Sequence, residues 1–442
     1  MTEADSVREL AQPLSGDAKD YEALLELIRD ARIVLLGEAS HGTHEFYFER
    51  AEITKRLIAE KNFTVVAIEA DWPDASRVHR YVRGLGSDKN ANEALSGFRR
   101  FPTWMWRNTV VVEFVEWLRR FNKDVDPKRA KAGFYGMDLY SLHASIDAVL
   151  TYLEKTDPDA AARARLRYSC FDHFSREPQE YGYAATVGAV ESCERAVVAQ
   201  LVDLQRHSAE FLSRDGVVAR EELFFAEQNA RLVRNAEEYY RSMFRGRASS
   251  WNLRDRHMVE TIEALVAHLN GSREPKAIVW AHNSHLGDAR ATEMSQHGEL
   301  NVGQLIRERF GNEAVLLGFT THHGTVTAAS DWGAQAERKK VRPALRGSYE
   351  ELFHEIGLDR FWIDLRDIGE KAISALDGPR LERAIGVIYR AETERLSHYF
   401  HARLPKQFDA VIHIDETRAV EPLERTSVWD KGELPETYPF KV

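Results

Sequence analysis

The chain has little cysteine: Cys170 and Cys193 are its only two in 442 residues, and they form neither a CxxC pair nor a zinc-type spacing. A disulfide-rich secreted scaffold is thereby excluded, and a reducing cytosol is the simplest compartment. No stretch of about 18 uncharged apolar residues occurs, which excludes a helical membrane span. The first residues, Met1-Thr2-Glu3-Ala4-Asp5, are acidic and polar and lack the basic and apolar parts of a signal peptide, so a cytoplasmic location is expected. Positive charge is not in excess: 60 basic against 70 acidic residues leave a net charge of −10, which works against phosphate-backbone recognition and excludes nucleic acid as the main partner. Several standard catalytic motifs are missing as well. There is no GxSxG elbow, no GxxxxGK(S/T) phosphate loop and no GxGxxG dinucleotide turn. His44-Glu45-Phe46-Tyr47-Phe48 begins like a zinc-protease helix but carries Phe48 where the second histidine belongs.

What is present is the composition of an ordinary globular protein, 43% hydrophobic and 29% charged, with length for two or three average domains or one large α/β domain with an insertion. Short apolar runs read as strands at 33–36, 64–68 and 133–135, then at 277–280, 314–319, 361–365, 385–389 and 410–414. Helical periodicity fills most of the gaps, with Phe46, Ile53 and Leu57 on one stripe and Val110, Phe114, Trp117, Leu118 and Phe121 on another. Strand alternating with helix predicts an α/β fold with a largely parallel central sheet flanked by helices. Between 141 and 270 the strand signal disappears in favour of amphipathic patterns such as Val190, Cys193, Val197, Leu201 and Leu204. The expected organisation is an α/β core of residues 1–140 and 271–442, with 141–270 a helical insertion or cap over the cleft. Asp157-Pro158, Asp215-Gly216 and 270–275 are turn signals.

Arg32-Ile33-Val34-Leu35-Leu36-Gly37-Glu38-Ala39-Ser40-His41-Gly42 carries the most chemistry. An aliphatic run suits a strand buried on both faces of a parallel sheet, where ligands bind beyond the carboxyl ends of the strands. Glu38 and His41 emerge there. Other strands deliver polar groups at the same edge: Glu69 with Asp71, Asp138, His282 with His285, and Thr320 with His322. Each taken singly also reads as a solvated loop residue or helix cap. Arg50 shares the stripe of Phe46, Ile53 and Leu57 and so points inward, where a guanidinium needs a carboxylate, Glu38 or Glu69, unless it snorkels to the rim. Phe101, Trp104 and Trp106, flanked by Arg99, Arg100 and Arg107, line an apolar pocket or pack the core. Ser40 adjoins His41, but sequence neighbours rarely orient as nucleophile and base. Three readings fit these residues: a hydrolase in which His41 activates water, a metal-dependent hydrolase using Glu38, His41, Glu69 and the two histidines, and a haem or small-ligand module without chemistry.

Leu36-Gly37-Glu38-Ala39-Ser40-His41-Gly42-Thr43, Arg50, Val66-Ala67-Ile68-Glu69-Ala70-Asp71, Tyr135-Gly136-Met137-Asp138, Trp280-Ala281-His282-Asn283-Ser284-His285 and Pro435-Glu436-Thr437-Tyr438-Pro439 together resemble the erythromycin esterase family. The resemblance implies hydrolysis of an ester or macrolactone without a covalent intermediate, and without metal or cofactor. On that pattern His41 is the general base and Glu38 assists it, Arg50 and Glu69 form a supporting charged pair, and His282 is a second imidazole in the cleft. His285, Asp71, Asp138, Trp104 and Trp106 are the candidates for contacting a small-molecule substrate. Arg50, His282 or a backbone N–H near Thr43 is the expected donor to the oxyanion.

Overall fold

A computed structural model describes residues 2–174, 178–207, 216–270, 274–366 and 368–432. The apolar runs form strands β1 (Gln12–Pro13), β2 (Ile33–Leu36), β3 (Val65–Asp71), β4 (Gly133–Asp138), β5 (Ala277–Trp280) and β6 (Ala314–Thr320). They continue with β7 (His323–Ala328), β8 (Glu337–Val341), β9 (Arg360–Asp364), β10 (Arg380–Arg383), β11 (Tyr399–Ala402), β12 (Ala410–Ile414) and β13 (Glu416–Thr417). Eight of these make one sheet in the order β1-β9-β12-β6-β2-β5-β3-β4. From β12 to β4 all neighbours are parallel, and β9 and β1 add an antiparallel edge. The α/β architecture expected from the sequence is the one observed.

Residue alternation sorts the sheet's two faces. Val34, Leu36, Val66 and Ile68 face the helices His44–Lys61, Trp72–Arg83 and Thr109–Asp124, while Ile33, Leu35, Val65 and Ala67 face the opposite layer. Much of that opposite layer comes from the stretch between β4 and β5, with the helices Glu3–Arg8, Val302–Phe310, Tyr349–His354 and Glu370–Leu376 completing it. The described residues of that stretch are helical or irregular, with helices Leu142–Thr156, Pro158–Tyr168, Pro178–Thr186, Glu194–Arg206, Gly216–Ser242 and Arg247–Leu269. Their apolar faces share one continuous core with the sheet. Asp157 caps the second of them with Pro158 at its first position, as the turn signal predicts.

Several expectations need correction. Residues 385–389 form no strand: Ile385 and Ile388 make single bridges to Ser40 and Ala329, because the run crosses two loops instead of lying alongside a strand. Val190 is exposed and precedes the helix that begins at Glu194, so the buried stripe starts later, at Cys193. Cys170 and Cys193 are joined in a disulfide, so cysteine usage ceases to argue for a reducing compartment. Asp215, residues 271–273 and the 435–439 motif lie outside the described residues. No helix among those residues is long and apolar enough to cross a membrane.

Candidate active site

The loop leaving β2 is held by main-chain bonds on every side. The Gly37 N–H donates to Leu317 O at 2.8 Å, the His41 N–H to Ile385 O at 3.2 Å, and the Val420 and Thr327 N–H groups both donate to Gly42 O, at 2.8 and 3.0 Å. Neighbouring chain comes so close that a Cβ at Gly42 would lie 1.8 Å from Thr327 O, and one at Gly37 would lie 2.2 Å from Asn283 Oδ1. Tyr47 OH donates to His41 O at 2.9 Å. The loop is therefore a rigid mount for Glu38 and His41.

Glu38 and Arg50 are completely enclosed. Glu38 Oε1 meets His41 Nδ1 at 3.0 Å, and its Oε2 accepts from Arg50 Nη2 at 2.6 Å. Arg50 lies against the rings of Tyr47 and Trp280, 4.6 and 5.1 Å from their centroids. This corrects the pairing expected from the resemblance: Arg50 is joined to Glu38, not Glu69, because the helix after the loop returns beneath its own N-terminal connection. Neither Arg50 nor Glu38 lines the cleft, so Arg50 braces the dyad from behind and cannot reach an oxyanion.

Glu69 instead belongs to a cation absent from the sequence-based candidates, Arg254 on the helix Arg247–Leu269. Arg254 Nη2 donates to Glu69 Oε1 at 2.7 Å and to Asp138 Oδ2 at 2.8 Å, and its Nε donates to Asp138 Oδ1 at 2.9 Å. The other Glu69 oxygen accepts the His282 N–H at 3.0 Å. Although burial opposes the charged form, His285, His41 and Arg254 hold the Glu69 carboxyl far below the usual carboxylate range. His285 Nδ1 sits 2.9 Å from Asp255 Oδ1, its Nε2 lies 3.2 Å from Arg254 Nη1, and its ring stacks on Trp251 at 4.4 Å. One signal pointed to this helix: Asp255 interrupts the buried stripe of Met258, Val259 and Ile262.

His41 Nε2 opens toward Glu69 Oε1, 3.9 Å away. Burial alone would lower the His41 pKa, but Glu69 and Glu38 outweigh it and raise it above 6.5. His282 behaves oppositely: burial and the neighbouring His41 ring hold it well below 6.5. The two ring centroids are 4.9 Å apart. Ser284 N–H donates to His282 Nδ1 at 3.2 Å and Ser284 Oγ lies 2.9 Å from the same atom, so the neutral ring carries its proton on Nε2, which is buried and lacks a well-formed hydrogen bond, with the Ala39 main chain beside the ring. A base and a donor thus face one another.

The cleft over these groups has a volume of about 740 Å³. Phe98, Phe101, Trp106, Trp251 and Trp332 supply apolar wall, and Trp332, 62% exposed in the middle of the loop between β7 and β8, packs edge-on to Phe101 at 4.9 Å. Trp106 lines the cleft and donates from Nε1 to Glu69 O at 3.2 Å. Trp104 does not line it: the 3-10 turn Thr103–Met105 sends Trp104 into the core against Phe101. Asp71 lines the cleft, its oxygens 2.8 and 3.0 Å from Arg100 Nε and Nη2. Thr320 and His322 fall elsewhere, Thr320 bonded to His413. The N–H of His44 at the helix start is spent on Arg418 O. Arg50 also keeps unpartnered N–H groups but does not line the cleft, so of the three donors expected for an oxyanion His282 is the one placed to serve. A metal does not suit this donor set, since Glu38 is occupied by Arg50 and Glu69 by Arg254 and a main-chain N–H.

Four adjacent strands, β2, β5, β3 and β4, bring this constellation to one edge of the sheet. The erythromycin esterase family model matches residues 58–417. The chain belongs to the erythromycin esterase family. Membership supports a hydrolase of that type. The match includes Glu69, Asp138, Arg254, His282 and His285 but begins after Glu38, His41 and Arg50. An erythromycin esterase type II from Escherichia coli is 22% identical over 421 residues, spanning 91% of this chain and 93% of its own length. Among solved structures, one described as a succinoglycan biosynthesis protein superposes with a TM-score of 0.74 at 22% identity, covering 95% of this chain and 97% of its own. A mutant of the erythromycin esterase EreC in its open conformation superposes with a TM-score of 0.68 at 17% identity, covering 92% and 96%. Those two likenesses establish the fold.

Proposed function

We propose that the protein hydrolyses an ester or macrolactone by direct attack of a water molecule, with His41 as general base. The observation that carries the reading is the buried Glu38–His41 pair, whose Nδ1 contact at 3.0 Å leaves Nε2 as the nitrogen facing the cleft. Nε2 takes a proton from water as its oxygen adds to the substrate carbonyl. The tetrahedral oxyanion then accepts a hydrogen bond from the His282 Nε2–H, which stays on the ring. Collapse breaks the ester C–O bond, and the His41 imidazolium returns its proton to the leaving alkoxide, giving an acid and an alcohol. Glu38 stabilises the imidazolium, and Arg50 keeps Glu38 aimed. The large, aromatic-walled cleft favours a bulky, mostly apolar substrate.

A mass-spectrometric screen of macrolactones and simple esters for the gain of one water tests the activity. His41→Ala should fold normally and lose at least about a hundredfold in rate; near-parental turnover in that variant removes His41 as the base. Ser284 offers a competing nucleophile because its Oγ contacts His282 at 2.9 Å. The depressed His282 pKa makes that ring a poor base, so Ser284→Ala should retain most turnover. A comparable hundredfold loss there, with an acyl adduct on the parent enzyme, would replace water attack by a covalent route.

A further inference from the structure

A second group of imidazoles lies past the ends of β6 and β12, and none of them lines the hydrolytic cleft. The main chain assembles it. The N–H groups of His322 and His323 both donate to Asp415 O, at 3.2 and 3.0 Å, and β13 pairs in parallel with β7 immediately beyond, Glu416 opposite His323. Their side chains consequently meet. His322 Nδ1 and His323 Nδ1 are 3.0 Å apart, and one ligand atom from each of His322, His323 and Asp415 lies within 4.8 Å of the others. Two nitrogens bound at about 2.0–2.1 Å to one ion are separated by roughly 3.0–3.4 Å, so the imidazole pair already has the spacing of cis ligands.

The Asp415 carboxylate is held in place by two further imidazoles, His354 Nδ1 lying 2.8 and 3.0 Å from its two oxygens. His413 Nε2 contacts it at 3.4 Å, and His413 is itself fixed through Nδ1 to Thr320 Oγ1 at 2.9 Å. The His354 ring stacks flat on His322 at 3.8 Å. Arg383, which donates to Thr321 O and His322 O, is matched by Glu394 at 3.2 Å. His323, His354 and Asp415 are partly open to solvent, which gives an ion a way in.

We propose that His322, His323 and Asp415 bind a divalent transition-metal ion of the zinc type, at a site separate from the hydrolytic cleft. Two imidazoles and one carboxylate suit such an ion and leave its remaining positions to water. Because the ligands come from the β6–β7 and β12–β13 connections, the ion would tie two parts of the sheet's edge together. The test uses the full chain, stripped with EDTA and desalted, then titrated with Zn2+ by calorimetry and with Co2+ by visible absorption. One ion per chain is expected, with a rise in Tm on Zn2+ addition. His323→Ala and Asp415→Asn, each checked for parental circular dichroism and melting without metal, should weaken binding at least about a hundredfold. His354→Ala, which removes only the brace, should weaken it about tenfold. His41→Ala should bind Zn2+ as the parent does. Failure to take up Zn2+, uptake unaffected by both His323→Ala and Asp415→Asn, or uptake abolished by His41→Ala would each overturn the proposal.

Discussion

At the scale of single residues, the behaviour of His41 follows from the sum of three opposed influences: burial favours the neutral ring, and Glu69 and Glu38 favour the charged one. The carboxylates win, so the base form appears only as pH rises through a value above 6.5. The expected kcat/KM profile falls on the acid side with an inflection above 6.5, and Glu38→Gln should move that inflection to lower pH while reducing the plateau rate. A parental inflection at or below 6.5 would contradict this balance. Arg50 has a structural consequence of its own. Removing it strands the enclosed Glu38 charge, so Arg50→Met should lower unfolding free energy in denaturant by about 3–5 kcal/mol. Combining it with Glu38→Gln should recover much of that loss, because the double variant buries no unpaired ion.

At the scale of elements, the helical stretch between β4 and β5 is both packing layer and chemical contributor. Its helix Arg247–Leu269 carries Trp251, Arg254 and Asp255 into the site. Arg254→Ala should therefore lower kcat through loss of order at Glu69 while leaving a folded protein, and Arg254→Lys should restore only part of it, since one ammonium cannot reproduce the forked contacts to Asp138 and Glu69. Steady-state kinetics of the two variants decide the matter: parental kcat in Arg254→Ala would show the cation to be dispensable. The Cys170–Cys193 disulfide closes a separation of 23 residues within the same stretch. Denatured, unreduced protein should show no free thiol, and Cys193→Ser should destabilise by about 3 kcal/mol, read from denaturant midpoints.

For the whole molecule, the cleft is closed on one side by the helical stretch and on another by the region after β7, which contributes Trp332. A broad exposed ring at the mouth should matter in proportion to substrate size. Trp332→Ala is expected to raise KM for bulky apolar lactones several-fold with little change in kcat, and to leave short-chain esters unaffected. Equal effects on small and large substrates would assign Trp332 to stability instead. The sheet order explains why only part of the convergence predicted from strand ends takes place: β2, β5, β3 and β4 are neighbours, while β6 and β12 lie beyond β2 and carry His322 and Asp415 to a separate cluster.

Local patterning was enough to show the strand-forming runs, the α/β class and the positions of Glu38, Glu69, Asp138, His282 and His285 at strand ends, because hydrophobic period and glycine stops act over a few residues. The inward direction of Arg50 was legible for the same reason: a helix repeats every 3.6 residues whatever surrounds it. Which carboxylate that guanidinium meets, the service of Arg254 to Glu69, the turn of Trp104 away from the cleft and the pairing of Cys170 with Cys193 came from the packing of the folded chain. Each of those outcomes depends on how distant segments cross, and local periodicity holds no record of that.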